Sequence, residues 1–196
     1  MGQSANTTPV FTIGHSIHPL DVFLNLIEFH RIDTLADVRS TPYSRFNPHF
    51  NRKAFAAALE ARGIHYDYFG TELGGRPDDP ACYENGRVSY ERTARTERFR
   101  NGLKRLIDES NDRRTAIMCA EKEPLDCHRT LLVGHALERR DIRVCHILAN
   151  GDLEAHEDAM DRLLAKYGLD PEGDLLTSRQ ESIANAIALK TGHAGT

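Results

Sequence analysis

The sequence predicts an α/β fold: a single three-layer domain over residues 9–170, with a mostly parallel, Rossmann-like sheet of about five strands flanked by helices. Three observations carry this reading. Short β-rich runs alternate with segments whose apolar residues recur at helical spacing, and nearly every strand is followed at once by a polar cluster. The chain of 196 residues is long enough for one well-buried core and short for two.

Val10 to Gly14 reads as the first strand. Leu20, Phe23, Leu24 and Ile27 then fall at i, i+3, i+4 and i+7, with Pro19 placed to open a helix. Thr34 to Val38 is the second strand. A helix with Phe55, Ala58 and Leu59 on one face ends at Gly63, and Ile64 to Phe69 is the third strand. From Gly70 to about Ser89 the chain is rich in Gly, Pro and Asp, the composition of a partly mobile binding loop. Phe99, Leu103, Leu106 and Ile107 mark the next helix, and Thr115 to Cys119 an apolar, central strand. Another helix starts near Cys127, Arg143 to Leu148 is the fifth strand, and Leu153, Met160, Leu163 and Leu164 form a last amphipathic helix. Residues 1–8 and 171–196 read as terminal extensions, the latter with a short helix from Ser178 to Leu189 and a frayed end.

The balance of 25 basic and 29 acidic residues, a formal charge of −4, argues against a surface coated with cations for nonspecific phosphate binding. It leaves room for a local basic patch. No apolar run approaches a membrane span, and Met1 to Pro9 has neither a basic region nor an apolar core, so a cytoplasmic protein without a membrane partner is expected. Cysteines 82, 119, 127 and 145 are then expected to be reduced, and no pair has C-x-x-C spacing.

The polar clusters are Gly14-His15-Ser16, Asp37-Val38-Arg39, Leu73-Gly74-Gly75-Arg76 and Cys119-Ala120-Glu121. In a parallel sheet the carboxyl ends of the strands share one edge, where such folds bind ligands, so these clusters are expected to converge. Thr12-Ile13-Gly14-His15-Ser16, Asp37-Val38-Arg39 with Pro42, Ser44 and Arg45, Leu73-Gly74-Gly75, and above all Cys119-Ala120-Glu121 with Pro124 and Cys127-His128-Arg129 resemble the domain-of-unknown-function 488 family. The resemblance covers roughly residues 9–148 and implies a compact α/β domain with a shared site, but no settled activity.

Pro124 keeps Glu123 out of helical geometry, so a helix starting near Cys127 exposes free N–H groups beside the Arg129 cation. With Arg39 and Arg45 this makes a cradle for phosphate or carboxylate; the plainer reading is that Arg129 pairs with Glu121 or Asp37 to tie loops together. Ser16, Ser44, Gly74, Gly75 and Arg76 join the expected anion-binding set. A helix start also lowers a thiol pKa, making Cys127 a candidate nucleophile with His128 or His15 as its base. Asp37 and Glu121, ending neighbouring strands, are candidates for acid–base work beside His15. Tyr43, Phe46, Tyr66, Tyr68 and Tyr83 lie in or next to the polar loops, where an aromatic ring can stack on a base.

The leading expectation is an enzyme, a hydrolase or transferase of N-glycosidic or phosphoester bonds, acting on an anionic nucleotide-like molecule or modified base. No cofactor is expected. A noncatalytic nucleic-acid or nucleotide-binding module is the second reading, and a thiol-redox or metal protein centred on Cys119, Cys127 and His128 the third. The oligomeric state stays open.

Overall fold

The structure is a computed structural model that describes residues 8–172 and 177–192. Alternation along the strands builds its two main cores. In β2 (Thr34–Asp37) Leu35 faces one side and Ala36 the other; in β6 (Thr115–Cys119) Ala116 and Met118 oppose Ile117 and Cys119. Phe11 and Ile13 of β1 (Val10–Gly14) meet Phe23, Leu24 and Ile27 of α1 (Leu20–Phe29) and Phe55 and Leu59 of α2 (Arg52–Glu60). The opposite face meets Phe99, Leu103 and Leu106 of α5 (Glu97–Asp112), and Leu132, Val133, Ala136 and Leu137. Helices therefore cover both faces of the sheet, giving three layers.

The main sheet has six strands rather than five, in the order β3-β2-β6-β1-β7-β8, with β3 at His65–Tyr68 and β7 at Val144–Ile147. The pairings are parallel except the last. The additional strand, β8 (Leu153–Ala155), pairs antiparallel with β7 across a turn, so Leu153 lies in a strand and the following helix, α7, starts at His156 and ends at Lys166.

The expected loop after β3 is largely built of short elements. It holds α3 (Gly70–Leu73), a 3₁₀ turn (Pro80–Cys82) and a hairpin of β4 (Tyr83–Glu84) and β5 (Arg87–Val88), before α4 (Tyr90–Arg95). The helix expected near Cys127 begins after it: a 3₁₀ turn (Pro124–Asp126) leads to extended Cys127, then a π-helical segment (Arg129–Gly134) runs into α6 (His135–Glu138). All six residues of that wide turn are buried.

The stretch read as a terminal extension contributes α8 (Arg179–Thr191), opened by a Ser178–Glu181 capping box. Its Ile183, Ala186 and Ile187 pack with Leu163 and Leu164 of α7 and with Leu125 and Leu131 in a third core, so this helix is part of the folded body. The frayed end expected beyond it lies at residues outside those described, apart from Gly192.

Candidate functional site

Parallel register puts Gly14 beside Cys119 and Asp37 beside Met118, so the ends of β1, β2 and β6 lie together at the carboxyl edge of the sheet. The chain leaving β6 folds back across the end of β1, where the backbone N–H groups of His15 and Ser16 donate to the carbonyls of Cys119 and Ala120, both at 2.9 Å. A Cβ at Gly14 would stand 1.9 Å from the Glu121 carbonyl oxygen. Only glycine permits that crossing.

Arg129 fixes the crossing from beneath. Fully buried, it donates from Nη1 to the Glu121 carbonyl at 2.6 Å and from Nη2 to that of Lys122 at 3.1 Å. Its guanidinium therefore ties the loop, and it lines neither cavity at the sheet edge. Nor does the helix start leave the expected free donors: the N–H groups of Thr130 and Leu131 bond the Cys127 carbonyl, and that of Arg129 points at the Cys127 sulfur, 3.4 Å away. The positive end of the helix thus acts on the thiol.

Two thiols meet there. Cys119 and Cys127 each place Sγ 3.0 Å from the same Glu121 oxygen, and His128 Nδ1 lies 3.7 Å and 3.9 Å from the two sulfurs. His128 Nε2 donates to the Val38 carbonyl at 3.0 Å, which holds the ring with Nδ1 towards the sulfurs. Burial opposes ionisation of Cys127, but hydrogen bonds from Cys119 and His128 and the nearby Arg129 charge outweigh it and hold its pKa well below the usual thiol value. The bond to Cys127, followed by burial, pushes Cys119 the other way. Burial disfavours a charged His128, yet the Cys127 sulfur overcomes it and raises that pKa. These shifts favour the proton on His128 over Cys127, while the Cys119 thiol donates to the Glu121 side-chain oxygen. The two sulfurs and Nδ1 lie within 4.8 Å of one another, so the same trio could also hold a cation.

Asp37 and Arg39 are committed elsewhere. Arg39 Nε and Nη2 grip the fully buried Asp37 carboxylate at 2.9 Å and 2.7 Å, Nη2 also donates to the Phe50 carbonyl at 2.8 Å, and the Tyr66 hydroxyl donates to Asp37 at 2.8 Å. Arg39 Nη1 reaches His15 Nε2 at 3.3 Å, while His15 Nδ1 contacts the Ser16 carbonyl at 2.8 Å. Burial first, then the Arg39 charge, lowers the His15 pKa to about 4, so its ring is neutral, donating from Nδ1 and accepting at Nε2. The ring stacks on Phe50 at 4.3 Å between centroids. These residues form a polar floor whose hydrogen bonds point at one another.

Two adjoining cavities open above this floor. One, of about 310 Å³, is lined by Arg39, Gly75, Arg76, Cys119, Glu121 and His128, and also by Ser40, Thr41, Tyr90, Ala120 and Asp126. The other, about 360 Å³, takes His15, Ser16, Tyr43 and Ser44 and shares Arg39, Thr41, Ala120 and Glu121 with the first. Cys119 thus faces the first cavity while Cys127 lies behind it. Burial, then the Cys127, Cys119 and Glu121 charges, raises the Tyr90 hydroxyl pKa.

Gly75 packs against the His128 ring so closely that a Cβ there would be 2.7 Å from Cγ and Nδ1, and Gly74 stands as near to Ser40 and the Gly70 carbonyl. Arg76 is exposed at the mouth, its N–H held by Ser40 Oγ at 2.9 Å. Arg45 stacks on Phe46 at 4.7 Å on an exposed loop and lines neither cavity. Ser44 Oγ accepts from the N–H groups of Phe46 and Asn47. Of the residues selected from sequence, the structure brings Cys119, Glu121, Cys127, His128, Arg39, Gly75 and Arg76 around one centre, and places Asp37 and Arg129 in its walls. Ser40, Tyr90 and Asp126 were not selected. Ser40 and Asp126 border selected motifs, a usable signal, whereas Tyr90 comes from α4 across a hairpin that no periodicity announces.

No described helix is long and apolar enough to cross a membrane. No curated protein and no solved structure matches the chain. The family model described as "Domain of unknown function DUF488" matches residues 19–136, from just before α1 into α6. It spans β2, the glycine pair, the thiol centre and Arg129, and more than half of the chain, which therefore belongs to the DUF488 family.

Proposed function

We propose that this chain is a dithiol enzyme that exchanges two electrons with a small anionic molecule carrying a reducible sulfur–sulfur bond. The observation that carries the reading is the meeting of two reduced sulfurs on one Glu121 oxygen, with an imidazole and a helix N–H acting on the deeper one. One thiol would serve nucleophilic transfer; two so close suit a dithiol–disulfide cycle. Arg76, with no ion-pair partner among the described residues, supplies positive charge at the mouth, and Tyr90 and Tyr43 offer ring faces to a nucleotide-like ligand spanning both cavities.

Cys119 faces the cavity and attacks the ligand while its proton passes to the Cys127 thiolate. The ligand S–S bond breaks, and the leaving sulfur takes the proton of His128. Cys127 then gives its proton to the neutral His128 and displaces the remaining ligand sulfur from Cys119, which leaves with that proton. Two thiols have lost two electrons and formed one disulfide; the ligand has gained them as two thiols. A thiol reductant resets the pair.

Mild diamide oxidation, alkylation and peptide mass spectrometry test this. A Cys119–Cys127 bridge is expected while Cys82 and Cys145 remain alkylatable. Absence of the bridge defeats the proposal, as does a stoichiometric metal that copurifies with the protein and is lost from Cys127→Ser.

A further inference from the structure

A second cluster of metal-ligating side chains lies apart from the thiol centre. His135 and Glu138 are three residues apart on α6 and so share a face, and His156 meets them from the first position of α7. One ligand atom from each lies within 4.8 Å of the other two. His156 is 2% exposed, yet its Nε2 has no hydrogen-bond partner, and His135 Nδ1 is likewise buried without one. Orphaned buried nitrogens are expensive to keep, and two on histidines of one such cluster point to a ligand among the three residues.

The distances fit that ligand better than they fit a direct bond. His156 Nε2 and Glu138 Oε2 are 3.7 Å apart, too long for a hydrogen bond. Two ligands each about 2.1 Å from a tetrahedral ion stand roughly 3.4 Å apart. The surroundings also orient His156. Its Nδ1 lies 3.1 Å from His146 Nε2, and His146 Nδ1 lies 2.7 Å from Thr12 Oγ1, its register partner on β1. With Thr12 accepting from His146 and His146 from His156, the chain leaves a lone pair on His156 Nε2, as the outer partners of a metal-bound histidine do. Gly134 makes room: a Cβ there would come within 3.2 Å of His156 Cε1. Glu138, with a side chain 38% exposed, opens the cluster to solvent.

We propose that His135, Glu138 and His156 bind a divalent transition-metal ion of the zinc type, through two imidazoles and a carboxylate with a fourth position for water. The donor set favours zinc, cobalt or nickel over calcium or magnesium, which take oxygen ligands. Glu138 and His156 lie beyond the segment matched by the family model, so the site is a feature of this chain's own carboxyl-terminal third.

The test is a cobalt(II) titration of the chelator-treated full chain, followed by visible absorption. One equivalent should bind with d–d bands but without the sulfur-to-cobalt charge-transfer band that Cys119 or Cys127 would contribute. Glu138→Gln, at a half-exposed position that spares the fold, should weaken binding about tenfold or more, and His146→Ala, which keeps all three ligands, by roughly 10–100-fold. Thermal melts and circular dichroism check that the variants fold. Cobalt affinity unchanged in both Glu138→Gln and His156→Ala overturns the proposal. So does a spectrum dominated by sulfur charge transfer and abolished in a Cys119→Ser/Cys127→Ser double variant, which would place the metal at the thiols.

Discussion

Replacing Gly75 with alanine tests how tightly the thiol centre is held. The backbone at Gly75 does not adopt a positive φ, so alanine meets no torsional obstacle and the effect is steric. The new Cβ would stand 2.7 Å from His128 Cγ and Nδ1, at least 0.7 Å inside the 3.4–4 Å range of ordinary contact. His128 has little room to yield, with Val38 holding Nε2 at 3.0 Å and the two sulfurs flanking Nδ1. Overpacking of this kind costs about 1–3 kcal/mol, which for a chain of this length lowers Tm by roughly 2–12 °C. The chemical consequence is larger than the structural one. Displacing Nδ1 removes a group that favours ionised Cys127, so the midpoint of its alkylation rate against pH should move upward with its pKa. The assay is iodoacetamide labelling across a pH series, resolved by peptide mass spectrometry, with Cys145 as the internal reference. An unchanged Cys127 profile in a variant whose Tm has fallen would refute the role given to His128.

Asp37→Asn should destabilise the protein by about 3–5 kcal/mol in urea titration, because it leaves the Arg39 cation buried and unpaired; a loss under 1 kcal/mol would remove Asp37 from the floor. Arg129→Lys should lose one of two carbonyl bonds, about 1–2 kcal/mol, yet keep binding of the anionic ligand, since its guanidinium lines neither cavity. Arg76→Ala should do the reverse, leaving Tm unchanged and weakening anion binding measured by calorimetry. For His15 the folded pKa of about 4 lies below the ordinary 6.5, so the unfolded chain binds the proton first. The resulting stability is present above pH 6.5 and drains away as pH falls towards 4, on the order of 3 kcal/mol. A His15→Gln variant should therefore show a flatter stability profile over that interval, and an identical slope would contradict the neutral ring.

The sequence placed five strands of the sheet within a residue or so because β1 and β6 are nearly uniform apolar runs and the rest stand between recognisable helices. It missed β8, whose three residues Leu153, Glu154 and Ala155 are exposed or half-buried at an edge and too few to establish a period. The two-residue strands β4 and β5 are too short to have a period at all. At the site, the strand-end argument pointed to the carboxyl edge of the sheet, where two cavities open, but could not say which polar side chains face inward. Asp37 and Arg39, two residues apart, consume each other, and Arg129 turns to carbonyls created by a loop whose path depends on Gly14. Those are facts of tertiary packing. The Cys119–Cys127 meeting was legible only as the third reading, because an intervening 3₁₀ turn rather than a standard motif brings the two sulfurs together.

The edges of the sheet bear on how the protein behaves in a crowded solution. A parallel sheet ending in a bare strand offers its unpaired amides to any other extended chain. On one side this chain turns β8 back against β7 and limits the rim to three residues. On the other, β3 has four residues, and Arg105 reaches from α5 to clamp the Asp67 carboxylate at 2.7 Å and the Tyr68 carbonyl at 3.0 Å. A guanidinium fastened there obstructs an incoming strand and adds charge to a rim that would otherwise template assembly. Loss of that clamp in Arg105→Leu should appear first as aggregation during refolding at high protein concentration.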